Sequence, residues 1–197
     1  MATLKPGERK LQILQTLAEM LESPQAEKIT TAALAARLQV SEAALYRHFA
    51  SKAQMYEGLI EFIETTLFGL INRLTGEAGH GLDQARGIAQ LLLGFAEKNR
   101  GMTRVLIGEA LVNENERLQV RINQLMDRLE ASLKQVLRIA ASQSELAEGA
   151  DPGAAANLTL AYIQGRWQQF VKSGFKRSPL ELWEAQWGIL SRGFAGS

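Results

Sequence analysis

The amino-acid sequence predicts an all-α protein of about nine helices, in which a three-helix N-terminal module precedes a larger helical body. The alternation of apolar and polar residues that is typical of strands is absent, and only four prolines interrupt the 197 residues. Residues 29–56 predict two short helices, a tight turn between them and a third helix. In the long segments that follow, apolar residues recur at spacings of three and four, and this period predicts the helices of the larger body.

The segment 30–49 contains the most informative motif. Thr30 or Thr31 can cap a helix with the sequence TAALAARL, a Gln-Val dipeptide turns the chain, and Ser41 can cap a second helix, SEAALYRHF. Two helices joined in this way form a helix-turn-helix, whose second helix enters the major groove of DNA. A plain helical hairpin is the alternative. The outward residues of the second helix favour DNA, because they lack the usual run of Glu and Lys on a solvated surface.

Ten residues of this module are candidates for DNA contact, and their chemistry divides them into two groups. Hydroxyl groups, cations and the backbone N–H groups at the start of a helix can bind phosphates. A carboxylate or a methyl group can contact base edges. Helix capping is the alternative role of Thr31, packing is that of His48, and contact with guanine is that of Arg47. The candidates for phosphate are Thr30, Thr31, Ser41, Tyr46, Arg47, His48 and Lys52. The candidates for bases are Glu42, Ala43 and Ala44. The predicted core of the module is Leu34, Leu38, Val40, Leu45 and Phe49.

The other helices are predicted from apolar spacing and from breaks at proline and glycine. The first stops before Ser23-Pro24, with Leu11, Leu14, Leu17, Ala18 and Leu21 on its inner face. The predicted ranges are about 8–22, 51–74, 82–98, 102–112, 115–141, 152–174 and 179–194. In the long helix 115–141 the apolar positions drift off a strict heptad, so a core helix is favoured over a coiled coil.

Composition excludes several classes of protein. The chain has no cysteine and two histidines, and no cradle of glycines for phosphate, so we expect no enzyme activity, no metal and no cofactor. No apolar run approaches a membrane span, and we expect a cytoplasmic protein. The net charge is only +1, and residues 1–60 hold seven basic against six acidic residues. Because phosphate neutralisation supplies much of DNA affinity, a single copy should bind DNA weakly and gain from dimerisation or from side-by-side binding of several copies.

The spaced letters LAxxxxVSxxxLYxHFxSK, from Leu34 to Lys52, resemble the DNA-reading signature of TetR-type regulators. Gln39 is a departure, because the pattern usually has glycine there; a left-handed backbone would cost Gln roughly 1 kcal/mol relative to Gly. The resemblance implies a DNA-binding domain over 7–67 and a helical regulatory and dimerisation domain over 68–197. It also implies a homodimer that reads palindromic double-stranded DNA and is paired through its last two helices.

Aromatic residues are concentrated in those last two helices. Interface cores favour Trp, Tyr and Phe, although an intramolecular core is about equally consistent with any single residue. Trp183 and Trp187, four positions apart, are the best candidates for the dimer interface. The late aromatics are Tyr162, Trp167, Phe170, Trp183 and Trp187.

A narrower resemblance, to the nucleoid occlusion factors among TetR-type regulators, extends over about residues 11–187. It is carried by VSEAALYRHF, LLLGFAEKN and RINQL. Such proteins bind sites spread over the chromosome and, while DNA-bound, contact the tubulin-like division protein FtsZ and prevent Z-ring assembly. The resemblance implies a partner-binding surface formed by Phe62, Leu70, Leu91, Gly94, Lys98 and Asn99. Leu70 and Lys98 stand where the group has Arg, and neither side chain can copy a bidentate Arg contact.

An ordinary TetR-type repressor, released from DNA by a small-molecule inducer, is the alternative function. Its pocket would lie in the helical body, for example near Met102, Met126 and Trp167, although apolar stripes are more often plain core. The two functions differ in their linkage. A repressor loses DNA when its inducer binds, whereas a division factor gains affinity for FtsZ when DNA binds.

Overall fold

The computed structural model describes residues 6–23, 29–76 and 78–196. Within these ranges it contains nine α-helices, one short 3₁₀-helix (Glu109–Leu111) and no strand, which confirms the all-α prediction. Pro24 and residue 77, which lies in the predicted break between helices 51–74 and 82–98, are outside the described residues. The helices are α1 Pro6–Met20, α2 Thr31–Arg37, α3 Glu42–Tyr46, α4 Lys52–Thr75, α5 Gly81–Lys98, α6 Arg100–Leu106, α7 Glu116–Ser142, α8 Pro152–Lys172 and α9 Trp183–Ser191.

The chain divides into two compact units. The first unit contains the described residues up to Ile63 together with Asn99–Ile122, and the second contains the described residues of 64–98 and 123–197. The first unit therefore combines the N-terminal helices with α6 and the start of α7. The domain boundary at residues 67 and 68 stays a prediction.

Helix α1 buries a face that differs slightly from the predicted one. Ile13 and Leu17 are each 1% exposed, and they form its contact with the rest of the first unit. Leu11 was predicted to point inward, but it is 40% exposed. The prediction is wrong at this position because the buried stripe runs through Ile13, Leu17 and Leu21, which are spaced by four residues.

Helix α6 approaches α1 as closely as two backbones permit. A Cβ atom on Gly101 would lie 1.9 Å from the carbonyl oxygen of Ala18, so no larger residue fits. Three residues later, the buried guanidinium of Arg104 donates to the carbonyl oxygens of Leu21 at 3.0 Å and Ser23 at 2.9 Å. Its charge is balanced by Glu109 at 2.8 Å. These carbonyls follow the end of α1 and have no later helical turn to bond them.

The helix-turn-helix forms with the predicted caps. The hydroxyl of Thr30 accepts a hydrogen bond from Ala33 N at 3.1 Å, and that of Ser41 accepts one from Ala44 N at 3.2 Å. Gln39 has φ 56°, the left-handed conformation expected at this turn. Two details differ from the prediction. Helix α3 ends at Tyr46 instead of continuing to Phe49. The predicted core residues Leu38 and Val40 are only half-buried, because they lie at the edge of the turn.

Helix α5 is the central element of the second unit. At its start a Cβ on Gly81 would lie 2.2 Å from Ala140 N, so α7 passes in direct contact. At its middle the carbonyl of Leu92 accepts the indole N–H of Trp167 at 3.1 Å, which ties α5 to α8. The seven apolar positions predicted to face the core in α7 are all buried, whereas Val120 of the same helix is 54% exposed. The seven are Leu118, Ile122, Leu125, Leu129, Leu133, Val136 and Leu137.

Two helix ends differ from the predictions for backbone reasons. The sixth helix stops at Leu106 rather than at residue 112, because Gly108 adopts φ 78° and redirects the chain into the 3₁₀-helix. The ninth helix begins at Trp183 rather than at residue 179, since Leu182 has φ 63° and cannot continue a right-handed helix.

The two tryptophans proposed for a dimer interface are in fact core residues. Trp183 is 4% exposed and Trp187 is 7% exposed, and their ring centroids lie 5.4 Å apart. Tyr162 and Phe194 extend this aromatic cluster at 6.3 Å on either side. The interface prediction is therefore wrong for both residues, because the second unit buries them against its own helices.

The conformation of Gln39 leads to a prediction about stability. Because glycine adopts φ 56° without a Cβ penalty, Gln39→Gly is expected to raise the free energy of unfolding by about 0.5–1 kcal/mol. The control Ala36→Gly, at an exposed right-handed position in the last turn of α2, is expected to lower it by about 0.5–1 kcal/mol. Urea unfolding with unchanged slope measures both effects. Destabilisation by both substitutions would contradict the strain at Gln39.

Candidate DNA-binding and partner-binding surfaces

All ten residues proposed for DNA contact lie in the first unit, on or next to the helix-turn-helix. Ser41 and Thr30 use their side chains as helix caps, which leaves the hydroxyl hydrogens free to donate. Arg47 is the C-cap residue of α3, and its side chain is exposed. The exposed members are Thr30, Ser41, Glu42, Ala43, Tyr46 and Arg47. The half-buried members are Thr31, Ala44, His48 and Lys52.

Thr31 and Glu42 are partners in this structure. The Thr31 hydroxyl donates to Glu42 Oε2 at 2.6 Å, and this bond joins the first residue of α2 to the first residue of α3. The contact fixes the direction in which the Glu42 carboxylate points. The carboxylate keeps further lone pairs with which to accept a hydrogen bond from a base amine. Thr31 can still offer its backbone N–H to a phosphate.

Lys52 is paired with a carboxylate that could not be predicted from the sequence. Its Nζ lies 2.5 Å from Glu114 Oε1, and it also lies 5.7 Å above the ring centroid of Tyr56. Burial, with a smaller contribution from Glu114, raises the pKa of Tyr56 to about 12, so the phenol stays neutral beside the pair. The ammonium of Lys52 is thus partly neutralised inside the protein. Glu114 is 62 residues away in sequence, and only the fold brings the two together.

Four of the residues proposed for partner contact lie in the second unit. Leu91, Gly94 and Lys98 follow one another at spacings of three and four, so they share one face of α5. Lys98 is exposed, whereas Leu91 and Gly94 are partly covered. Gly94 has the side chain of Leu180 near it, with 3.8 Å between Leu180 Cδ1 and the position of a Cβ.

Leu70 on α4 and Leu91 on α5 each lie one turn from a contact between the two helices. Helices joined by so short a connection run antiparallel, and at Gly87 a Cβ would come within 2.7 Å of Leu74 Cδ1. One turn further along each helix are Leu70 and Leu91, and both are half-buried. We therefore expect them to form an apolar edge of the α5 face. Leu70 carries no charge, and so this edge lacks the cation that the resemblance implies.

The remaining two proposed partner residues, Phe62 and Asn99, belong to the first unit. Both are half-buried. Their part in a partner-binding surface stays a prediction.

The residues suggested for an inducer pocket are core residues. Trp167 is fully buried with its indole N–H bonded to Leu92, and Met126 is 8% exposed, both within the second unit. Met102 is 9% exposed in the first unit. In the described part of the chain no three or more His, Asp or Glu lie together as a metal site would need. None of the described helices is long and apolar enough to cross a membrane.

Comparison with known proteins assigns the family. Residues 13–59 match the family described as bacterial regulatory proteins, tetR family, and residues 80–195 match the one described as tetracyclin repressor-like, C-terminal domain. The second match, which is SlmA-like, covers more than half of the chain. The chain belongs to the SlmA-like family of TetR-type regulators.

Relatives in this family are similar over nearly their whole length. A nucleoid occlusion factor SlmA from Marinomonas sp. (strain MWYL1) is 50% identical over 188 residues, covering 95% of each chain. The SlmA of Alteromonas mediterranea is 50% identical over 98% of this chain and 100% of its own. The SlmA of Vibrio cholerae serotype O1 is 50% identical over 97% and 98%.

Solved structures confirm the fold of the SlmA-like chain. A TetR transcription regulator from Haloarcula marismortui superposes with a TM-score of 0.81 and 15% identity, over 96% of this chain and 100% of its own. The fatty acid degradation regulator FadR from Bacillus halodurans gives a TM-score of 0.78 at 13% identity, over 96% of each chain. At such identities the likeness concerns the fold alone.

The pair of Lys52 and Glu114 leads to a prediction about DNA affinity. Because Glu114→Gln removes the charge that neutralises Lys52, it is expected to strengthen binding to every DNA sequence and to steepen the salt dependence by about 0.9 units. Fluorescence anisotropy with a labelled duplex, repeated over a series of salt concentrations, measures this slope.

Two further variants serve as controls for this prediction. In the double variant Lys52→Gln/Glu114→Gln the gain should vanish. Glu57→Gln removes another carboxylate, which is paired with Arg117 at 2.8 Å in the same unit, and should leave the slope unchanged. Weaker binding by Glu114→Gln alone would mean that Glu114 orients Lys52 toward the phosphate instead of neutralising it.

Proposed function

We propose that this chain is a nucleoid occlusion factor. It binds specific sites along the chromosome and, while bound, contacts FtsZ and prevents Z-ring assembly over the nucleoid. The observation that carries the proposal is the match of about half of all residues, over almost the full length, to proteins named nucleoid occlusion factor SlmA. The capped helix-turn-helix with an exposed α3 supplies the DNA-binding part of that activity.

The proposed mode of DNA binding uses two kinds of contact. The hydroxyls of Ser41 and Tyr46 and the cation of Arg47 bond phosphates and fix the position of α3. Glu42 and the neighbouring alanines face the bases. Because the first part of the chain is almost neutral, the affinity of one copy is low and a dimer is needed. A twofold dimer reads a pseudo-palindrome with half-sites about 34–36 Å apart.

The proposed dimer pairs α8 and α9 of one copy with those of a second. Leu158, Ala161 and Gly165 are exposed and lie on one face of α8 at spacings of three and four. On α9, Ile189 is 65% exposed and adjoins Gly188. No atom lies within 4 Å of a Cβ on Gly165 or Gly188, so neither glycine is required by packing within the chain. An apolar face with mid-helix glycines permits the close approach of another helix.

The proposed contact with FtsZ uses the α5 face. Leu91 and Leu70 provide an apolar edge, Gly94 leaves room for a bound segment, and Lys98 adds a cation at the rim. Because DNA-bound copies are the active form, DNA and FtsZ are proposed to strengthen the binding of each other. The residues suggested for an inducer pocket are part of the core, so they do not support the alternative of an inducer-controlled repressor.

Sedimentation of FtsZ polymers tests this function. FtsZ is polymerised with GTP and pelleted in the presence of the protein, with and without a duplex selected from random sequence by the protein itself. The expected result is a loss of pelleted polymer that depends on the selected duplex. The variant Leu91→Glu should abolish this loss and keep its affinity for the duplex, whereas Gln135→Glu, on the exposed side of α7, should behave as wild type. Tight binding of the duplex with unaltered pelleting would indicate a conventional repressor.

The dimer leads to a separate prediction. Since Ile189→Arg would bury a charge in the proposed interface, it is expected to shift the protein from dimer to monomer at micromolar concentration. Val112→Arg is the matched control, because Val112 is also 65% exposed but lies in the first unit. Sedimentation velocity distinguishes the two species. A dimer that survives Ile189→Arg would exclude α9 from the interface.

A further inference from the structure

Two adjacent threonines at the start of the helix-turn-helix use their hydroxyl groups in different ways. The hydroxyl oxygen of Thr30 accepts a hydrogen bond from Ala33 N at 3.1 Å, and this bond leaves the hydroxyl hydrogen available for donation. The hydroxyl of Thr31 donates to Glu42 Oε2 at 2.6 Å. Because a hydroxyl group has a single hydrogen, Thr31 cannot donate to Glu42 and to a phosphate at the same time. The two threonines therefore have different roles toward DNA.

The bond from Thr31 fixes the position of the Glu42 carboxylate. Glu42 is the first residue of α3, and its side chain is exposed. An exposed glutamate without such a bond samples many rotamers, and ordering it when DNA binds lowers the affinity. Since Oε2 is bonded to the first residue of α2, this ordering is already complete in the free protein. The remaining lone pairs of the carboxylate can accept a hydrogen bond from DNA.

The same bond contributes little to holding α2 and α3 together. The core of the module contains Leu34 from α2 and Leu45 from α3, and each is only 1% exposed. The left-handed conformation of Gln39 sets the turn between the two helices. A hydrogen bond at the exposed surface replaces bonds to water, so its net contribution to stability is small. The main effect of the bond between Thr31 and Glu42 is therefore on the direction of the carboxylate.

A carboxylate in this position is repelled by phosphates but can recognise one base edge. In the major groove the N4 amine of cytosine donates a hydrogen bond to a carboxylate, whereas the O4 oxygen of thymine is an acceptor and repels it. The N-terminal residues of a recognition helix are those that contact base edges, and Glu42 is the first residue of α3. A fixed carboxylate discriminates between the two bases, while one that can turn away into water discriminates less.

We propose that Thr31 is a positioning residue for base recognition, which holds the Glu42 carboxylate toward the N4 amine of one cytosine. The adjacent Thr30 donates its hydroxyl hydrogen to a phosphate. This inference deepens the proposed function and rests on DNA binding through α3. Both threonines were predicted from the sequence as phosphate contacts, and the bond to Glu42 separates them. Thr30 then acts on every DNA sequence alike, whereas the Thr31 hydroxyl acts on sequence preference.

Replacing the Thr31 hydroxyl by a methyl group tests the proposal. Thr31→Val keeps the β-branched shape of the side chain and the cap at Thr30. A duplex selected from random sequence by the wild type is varied one base pair at a time, and fluorescence anisotropy gives the Kd of each duplex. At the position whose preference Glu42→Ala removes, the wild type is expected to favour cytosine over thymine by about 10-fold, and Thr31→Val by less than about 2-fold. Thr31→Ser restores the hydroxyl and should restore the preference.

Two comparisons distinguish positioning from a direct phosphate contact. Tyr46→Phe removes another hydroxyl of the module, from a side chain that is 46% exposed, and is expected to weaken binding to all duplexes alike without changing the preference. In a double-variant cycle, Thr31→Val should have no further effect on the preference once Glu42 is replaced by alanine. Equal weakening of every duplex by Thr31→Val, additive with Glu42→Ala, would make Thr31 a phosphate contact and overturn the proposal.

The failure of this inference and that of the proposed function give different results. If the wild type selects a sequence but Glu42→Ala alters no base preference, the role of Thr31 in positioning is excluded and DNA binding stands. If the wild type selects no sequence from random duplexes, the proposed function itself fails. Urea unfolding is expected to give Thr31→Val nearly the midpoint of the wild type, which shows that the change in preference is not a loss of the fold.

Discussion

The buried cation of Arg104 is the interaction on which the first unit depends. A guanidinium that is 7% exposed would be costly alone, but this one donates to two carbonyls beyond the end of α1 and is balanced by Glu109. Removing it would leave both a carboxylate and backbone carbonyls without partners. Gly101 brings the helix that carries Arg104 within backbone contact of α1. The packing of the unit that contains the helix-turn-helix therefore depends on Arg104, a residue from the second half of the chain.

Local features of the fold were predictable from sequence, because they depend on neighbours a few residues away. Caps at Thr30 and Ser41 and the left-handed turn at Gln39 involve only the next three or four residues. The apolar spacing of α7 likewise identifies a buried helix without any knowledge of what covers it. Trp183 and Trp187 show the limit of this reasoning. Aromatic content predicts that a surface is buried, but it does not show whether the same chain or a second copy buries it.

For the candidate surfaces, too, local features were predictable from the sequence and long-range contacts were not. Motif matching selected residues of α3 and α5 that the structure leaves accessible, since accessibility on a helix follows from its period. The polar partners of these surface residues could not be predicted from the sequence, because they lie far away along the chain. Glu114 is far from Lys52 along the chain, and Glu97 meets Ser178 across 81 positions. The net charge that a surface presents therefore depends on ion pairs that only the fold brings together.

The short length of α3 has a consequence for the kind of information the chain can extract from a chromosome. Five residues at a rise of 1.5 Å span only about 7.5 Å, or roughly two base-pair steps. Each copy therefore reads few base pairs. A genome of about a million or more positions contains many sequences that nearly match so short a recognition site. A nucleoid occlusion factor must be present wherever the chromosome lies, so low sequence selectivity at each site is an advantage. Its activity depends on the density of occupied sites along the chromosome and not on the uniqueness of any one site.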